Sequence, residues 1–304
     1  GVQRSIRVTR ALYPDSDRLQ VGPLSVEIVE PMEQQRLVLA DNETGLSFDV
    51  TVDAVAPPHV EHGHTQYRHG RLLNHIIRYT QLSRVGGTVG DGDTRGDIDG
   101  WFGCRDHSWG IRSTMGPHVP IRGVAAKPLD PRAIRIWVPF DAGDHSGFFH
   151  THEDSFGNTL DIEGRIDLPD GEAVAVTAVD HKFEYHPGTR RLARGSFALT
   201  DATGEVREYR FESSCDPAHP QGFGYTRGWQ DGGQPGVYRG EYYEEVDEFA
   251  VDDPAQSLGP HHVPEARRLG GTEFTCTLAG PGGSSGMAHV EHMIYGPYEP
   301  YGIT

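Results

Sequence analysis

Cysteine is scarce in this 304-residue chain: Cys104, Cys215 and Cys276 are far apart and odd in number, and no CxxC occurs. Neither a disulfide framework nor a thiolate metal site follows from that spacing, which makes reduced cytoplasm the default compartment. Long apolar runs are missing as well. No segment approaches the roughly 18 apolar residues of a membrane span, and the mean hydropathy is −0.52. The opening GVQRSIRVTR lacks the apolar core of a signal peptide. Basic side chains are few, 27 against 44 acidic ones, for a net charge of −17. That sign argues against nucleic acid, whose phosphates need Lys and Arg, and against an anionic membrane surface. No Gly-x-Ser-x-Gly elbow, P-loop or dinucleotide fingerprint survives inspection, because GGTVGDGDTRG has no helical pattern after it.

What the chain does have is glycine: 39 residues, about 13% of the total against roughly 7% on average. The hydrophobic share is only 36% without them, and adding them brings the apolar total near the globular range. Period two dominates. Leu24, Val26 and Ile28 alternate with polar residues, as do Leu46, Phe48, Val50 and Val52, and later Phe274, Cys276 and Leu278. Each pattern predicts a half-buried strand with one wet face. Turn signals separate them: DNETG at 41–45, DGDTRGD at 91–97, LPDGE at 168–172 and TDATGE at 200–205, the last two within predicted hairpins. Helical period is confined to short candidates at Pro14–Leu19 and Pro254–Leu258. The fold class is therefore all-β, a sandwich or barrel of antiparallel strands with few short helices. The proline-rich stretch 113–131 reads as a connector, dividing an N-terminal half, 1–118, from a C-terminal half, 119–304. A second loop-like stretch covers 252–264.

The densest chemistry lies in GWFGCRDHSWGIR, where Arg105, Asp106, His107, Trp109 and Arg112 crowd eight positions between glycines. In a strand, His107, Trp109 and Ile111 share one face, with Ser108, Gly110 and Arg112 on the other. An inward His beside an indole gives a titrating group against a large π surface; the plainer reading is a polar network with Trp109 as core. GCRDHSWGIR, together with the earlier GPLSVEIVEPMEQQRLVLADNETGLSFDVTVDAVAPP, resembles the lipocalin-like superfamily that includes carotenoid 1,2-hydratase and kievitone hydratase. The resemblance implies two lipocalin-like β-barrel or sandwich halves packed together and, for several members, addition of water to an alkene without a cofactor. It also implies a role for a His-x-Trp pair, matched here by His107 and Trp109. A Tyr-x-Asp pair of that group is not matched, since the following strand reads Ile134-Arg135-Ile136.

Alkene hydration needs a proton donor, a shielded place for a cation and a base for water. A carboxylic acid in an apolar cavity stays protonated, an indole face stabilises a cation, and a neutral imidazole takes the proton from water. Asp106, Trp109 and His107 are the catalytic candidates for these roles, with Arg105 and Arg112 as substrate-binding neighbours. Strand alternation sets Asp106 opposite the other two unless a bulge at Gly103–Arg105 brings it in; otherwise it pairs with an arginine.

A second cluster, FFHTHED at 148–154, places His150, His152 and Asp154 on one face and Glu153 on the other. His-x-His suits a metal on a strand, but a cupin also requires a Glu four or five residues on, where Phe156 and Gly157 stand. A polar lining inside the second barrel, with His150, His152 and Asp154 near substrate, is the reading preferred. The histidines of PPHVEHGHTQYRHGRLLNH suit a solvent-exposed loop. Asp161 and Glu163 share a strand face as a glycosidase pair does, yet Leu160 and Ile162 opposite make them look solvated. The run EYYEEVDE at 241–248 reads as a wet strand face with Tyr242 and Val246 inward. Tyr295 and the tyrosines of PYEPYGIT are candidates to cap the cavity or simply to pack.

These readings converge on a cofactor-independent hydratase or dehydratase, with no metal, acting on a hydrophobic small molecule such as a terpenoid, prenylated or polycyclic compound of secondary metabolism. The alternatives are a non-catalytic carrier of an apolar ligand and a cyclase or isomerase on the same scaffold. No nucleic-acid or membrane partner is expected, and a homodimer is left open.

Overall fold

The computed structural model describes residues 2–68, 70–112, 131–187, 191–218, 229–233, 235–250 and 273–303. The chain divides into two units: Arg4–Pro117 with Gly222–Phe249, and His118–Gln221 with Ala250–Thr304 and Gly1–Gln3. The connector at 113–131 (except Pro131) and the stretch 252–264 lie outside the described residues. Among those that are described, no helix is long and apolar enough to cross a membrane.

The first unit begins with β1 (Val2–Arg10), followed by β2 (Gln20–Val21), β3 (Leu24–Glu30), β4 (Gln34–Leu39), β5 (Leu46–Ala54), β6 (His59–Val60), β7 (His64–Arg68), β8 (Arg71–Asp91) and β9 (Thr94–Arg112). The long strand β8 organises it. On one edge β8 pairs with β9 through a tight turn, Asp91 opposite Thr94, with Gly92 at φ 57°. On the other edge it pairs first with β7 and β6 and then with β5, from which the sheet continues through β4 and β3 to β2. Leu39, Val50, Tyr79, Leu82 and Ile98 are the buried apolar side chains of this sheet. The histidine-rich segment is thus strand rather than plain loop: β7 folds back on β8, with Thr65 opposite His75.

The second unit is a closed barrel of eight antiparallel strands: β10 (Ile134–Asp141), β11 (Ser146–Glu153), β12 (Thr159–Asp167), β13 (Ala173–Tyr185), β14 (Leu192–Asp201) and β15 (Val206–Ser213), then, after β16 (Tyr242–Ala250) outside the barrel, β17 (Glu273–Ala279) and β18 (Ser285–Ile294). Pairing of β18 with β10 closes it, Ile134 opposite Ile294. Eight strands leave a lumen just wide enough for side chains to fill. Ile136, Val138, Phe140, Phe149, Phe197, Val290 and their neighbours fill it as one cluster of almost zero exposure. The large rings fit because glycine faces them across the sheet. Phe140 stands opposite Gly147 and Phe149 opposite Gly164. A Cβ on Gly195 would come within 2.5 Å of the Phe211 ring. The predicted hairpins at LPDGE and TDATGE are the β12–β13 and β14–β15 turns, with Gly171 and Gly204 at φ 85° and 87°.

β16 pairs with β1 as a separate two-stranded sheet. Its parity corrects the wet-face reading of EYYEEVDE. Tyr242 is exposed, whereas Glu245 is buried beside Arg7 of β1 at 3.0 Å. Glu245 also accepts from the Tyr243 hydroxyl at 2.8 Å and the Gln230 backbone N–H at 2.9 Å. An acid turns inward here because a cation from a strand far away in sequence meets it. Helix at Pro14–Leu19 is not formed, and Pro254–Leu258 lies outside the described residues. The described helices are single 3-10 turns at Pro281–Gly283 and Glu299–Tyr301.

Candidate functional site

The β8–β9 register sets Tyr79 opposite His107, Ile77 opposite Trp109 and Gln81 opposite Arg105. Alternation then brings Tyr79, Arg105, His107 and Trp109 to one face. Ring centroids of His107 and Tyr79 are 5.3 Å apart, those of His107 and Trp109 5.7 Å, and those of Tyr79 and Trp109 6.2 Å. The Arg105 guanidinium lies over the Tyr79 ring, 5.1 Å from its centroid, and beside the Gln35 side-chain amide. Tyr79 is buried, and burial, with some help from the Asp106 charge, holds its phenol above the usual value and therefore neutral. His107 is exposed, and Trp109 and Ile111 are 46% and 53% exposed. The face is thus an open apolar platform with an imidazole in it. Gly110 next to Trp109 keeps the strands close: a Cβ there would stand 2.0 Å from the His75 carbonyl oxygen.

Asp106 is on the opposite face. The only register shift between β8 and β9 falls at Val85 and Gly87, so the bulge at Gly103–Arg105 that would turn Asp106 toward His107 is absent. Its carboxylate stands 3.4 Å from Arg78, which bridges to the buried Glu61 at 3.6 Å. Arg112 is on this second face too and donates to the Ser108 hydroxyl at 2.8 Å. The structure therefore brings together Arg105, His107 and Trp109, adds Tyr79, and leaves Asp106 and Arg112 apart from them.

In the barrel, alternation along β11 is as expected but the faces are exchanged. Phe149, Thr151 and Glu153 oppose Val138, Ile136 and Ile134 and point into the lumen. His150 and His152 lie on the outer face, where both are buried, so they do not line the barrel interior. Burial, added to the charges of Arg135 and Arg132, pushes the His152 imidazole below its usual value. Asp154 is past the strand and caps a turn, accepting from the backbone N–H groups of Phe156 and Asn158 at 2.9 Å each. Hydrogen bonds from Asn158 hold its carboxyl below the usual range. Tyr295, just past β18, packs under the Arg132 guanidinium at 5.6 Å and donates to the Met293 sulfur at 3.5 Å. Asp161 and Glu163 share the outer face with His150 and His152; Glu163 is buried, and only Asp161 is wet.

The polar lining of the barrel comes from Glu153, which the sequence put on the opposite face, from the closing tyrosines Tyr298 and Tyr301, and from His181, which sequence reasoning passed over. At the end where β11 finishes, Glu153 accepts from His181 Nε2 at 2.8 Å and from the Tyr298 hydroxyl. The Nδ1 atom of His181 meets the Tyr301 hydroxyl, which also accepts from the Phe183 backbone N–H at 3.1 Å. Burial raises the Glu153 carboxyl, but the His181 hydrogen bond and charge and the Tyr298 hydroxyl outweigh it and hold the group below the ordinary carboxylate value. Burial, and for Tyr298 the Glu153 carboxylate, push both phenols well above theirs. His292 of β18 is fully buried beside this group, 5.3 Å from Phe274 and 5.5 Å from Tyr185 between centroids. The network joins the closing segment of the chain to the barrel wall. The available signal was the parity of Glu153 with Phe149 and Thr151, which put it on their face without saying that this face turns inward.

No curated protein matches the chain. Among solved structures it is similar to an AttH-like protein of Nitrosomonas europaea, with 12% identity, a TM-score of 0.49, and coverage of 88% of this chain and 67% of that one. It is also similar to kievitone hydratase of Nectria haematococca, with 11% identity, a TM-score of 0.46, and coverage of 91% and 69%. A family model described as a family of unknown function, DUF8625, matches residues 1–304, and the chain belongs to that family.

Proposed function

We propose that the protein adds water to, or removes it from, a hydrophobic small molecule laid against the Tyr79–His107–Trp109 face. The observation that carries this reading is an exposed imidazole set at a tilt among aromatic rings at 5.3–5.7 Å, on a platform whose indole is itself open. In the elimination direction, an imidazolium at His107 protonates the substrate hydroxyl and the C–O bond breaks, releasing water. The resulting cation rests against the Trp109 face, and His107 takes the proton from the adjacent carbon as the alkene forms. Addition of water is the same sequence reversed, so one residue balances the protons in both directions. Neutral Tyr79 and the Arg105 guanidinium orient the rings.

Asp106 faces away, which changes the chemistry this face suits. Without a carboxylic acid beside the imidazole, protonating a hydroxyl or an activated alkene is within reach, whereas an isolated alkene demands a stronger acid. The same fact favours the second reading, a carrier that binds the apolar ligand without chemistry. The two separate on the small molecule that co-purifies with the protein, identified by mass spectrometry and incubated with it in oxygen-labelled water. An enzyme incorporates label into the hydroxylated species, and His107→Ala abolishes incorporation while ligand affinity stays within a few-fold. A carrier incorporates none, and His107→Ala changes affinity alone.

A further inference from the structure

On the outer face of the barrel the antiparallel register of β11 and β12 sets His152 opposite Asp161 and His150 opposite Glu163. Side chains at these positions stand on one side of the sheet. The two imidazole rings meet edge to face with centroids 4.6 Å apart. His152 Nδ1 lies 3.7 Å from the Asp161 carboxylate, which is longer than a hydrogen bond. One ligand atom each from His150, His152 and Asp161 lie within 4.8 Å of one another. Donors around a zinc ion at about 2.0–2.2 Å stand roughly 3.5 Å apart, so small side-chain rotations close the set.

We propose that His150, His152 and Asp161 form a binding site for a divalent transition ion of the zinc type. The donor set suits such an ion: two imidazoles with one carboxylate leave a coordination position open. His152 is 8% exposed, and its Nε2 atom is buried without a hydrogen-bond partner among the described residues. The Asp161 side chain is 47% exposed, which gives an ion a way in. Two arginines act on His152, but Arg135 is committed to Glu291 of β18 and Arg132 lies against Tyr295. A search along β11 for a cupin-type glutamate misses this site because the carboxylate comes from the next strand, through pairing rather than spacing.

The site is independent of the His107 reading and is tested on the whole protein without substrate. After dialysis against a chelator, the protein is titrated with cobalt(II), followed by its visible spectrum, and with zinc(II) by calorimetry. One ion per chain is expected. His152→Gln and Asp161→Asn should each weaken binding by more than the roughly 10–100-fold that loss of an outer-shell partner costs. His62→Ala, in the histidine-rich segment, should leave binding unchanged. Asp161 is half exposed, so Asp161→Asn serves as the test if His152→Gln does not fold, as judged by its thermal transition. Absence of one-to-one binding, binding unaffected by Asp161→Asn, or binding lost in His62→Ala would each overturn the proposal.

Discussion

The clusters of imidazole and aromatic rings around His107 and around His181 are built oppositely. Around His107 the rings lie tilted to one another on an open sheet face, with Trp109 nearly half exposed and the adjacent carboxylate, Asp106, on the other side. Around His181 the imidazole is enclosed, with a carboxylate on one nitrogen and a phenol on the other. A polar network whose members satisfy one another inside a barrel holds structure together. An imidazole left open among apolar surfaces is within reach of a ligand laid on them. Residue types alone do not distinguish these roles; the partners and the solvent do.

The sharpest way to break this contrast is to truncate each imidazole. His107→Ala should lower turnover roughly 10²–10⁴-fold with stability within about 0.5 kcal/mol of wild type, measured by steady-state rates and urea unfolding. If stability falls instead and turnover does not, the open cluster is structural. Next in size, Glu153→Ala leaves His181 and Tyr298 buried without their acceptor and should cost about 3–5 kcal/mol in unfolding free energy, with the rate per folded molecule unchanged. A loss of rate greater than the loss of folded protein would move the chemistry into the barrel. Trp109→Ala should weaken ligand binding by roughly 1 kcal/mol, about five-fold, as befits a half-exposed indole, and this is read by equilibrium titration of the co-purified compound.

The smallest effect is a pH dependence of stability. Glu153 lies below its ordinary value in the folded protein. Its contribution is therefore complete above the unfolded carboxylate value of about 4.3 and is lost as pH falls through the lower folded value. Unfolding midpoints measured from pH 5 downward should fall less steeply in Glu153→Gln than in wild type. Equal slopes would mean that the carboxylate gains nothing from His181 and Tyr298.

Much of this architecture could be read before any coordinates. Alternation at Phe274, Cys276 and Leu278 and the glycine turns at 171 and 204 depend on local rules, and they survive folding unchanged. Parity was legible as well: His107 with Trp109, and His150 with His152, do share their faces. What alternation cannot say is which face is inside, because a closed barrel buries its lumen while the outer face here is buried too. That ambiguity exchanged His152 for Glu153. The acid Glu245 was misread for a related reason, since its partner Arg7 is 238 residues away in the chain. Tyr298 and Tyr301 sit in a turn without periodicity, so nothing local announced their partners.

The pairing of β1 with β16 has a consequence for how the protein is made. Residues 242–250 emerge from the ribosome after six of the eight barrel strands, yet they complete the sheet begun by residues 2–10. Contacts of such sequence separation form slowly, since the loop must close before they are rewarded. The first strand therefore waits, edge unpaired, through most of synthesis, and an unpaired edge is where strands of other chains add. Expressing residues 1–118 alone would keep that edge open permanently, so cutting the chain in its proline-rich connector should yield aggregates rather than a working part.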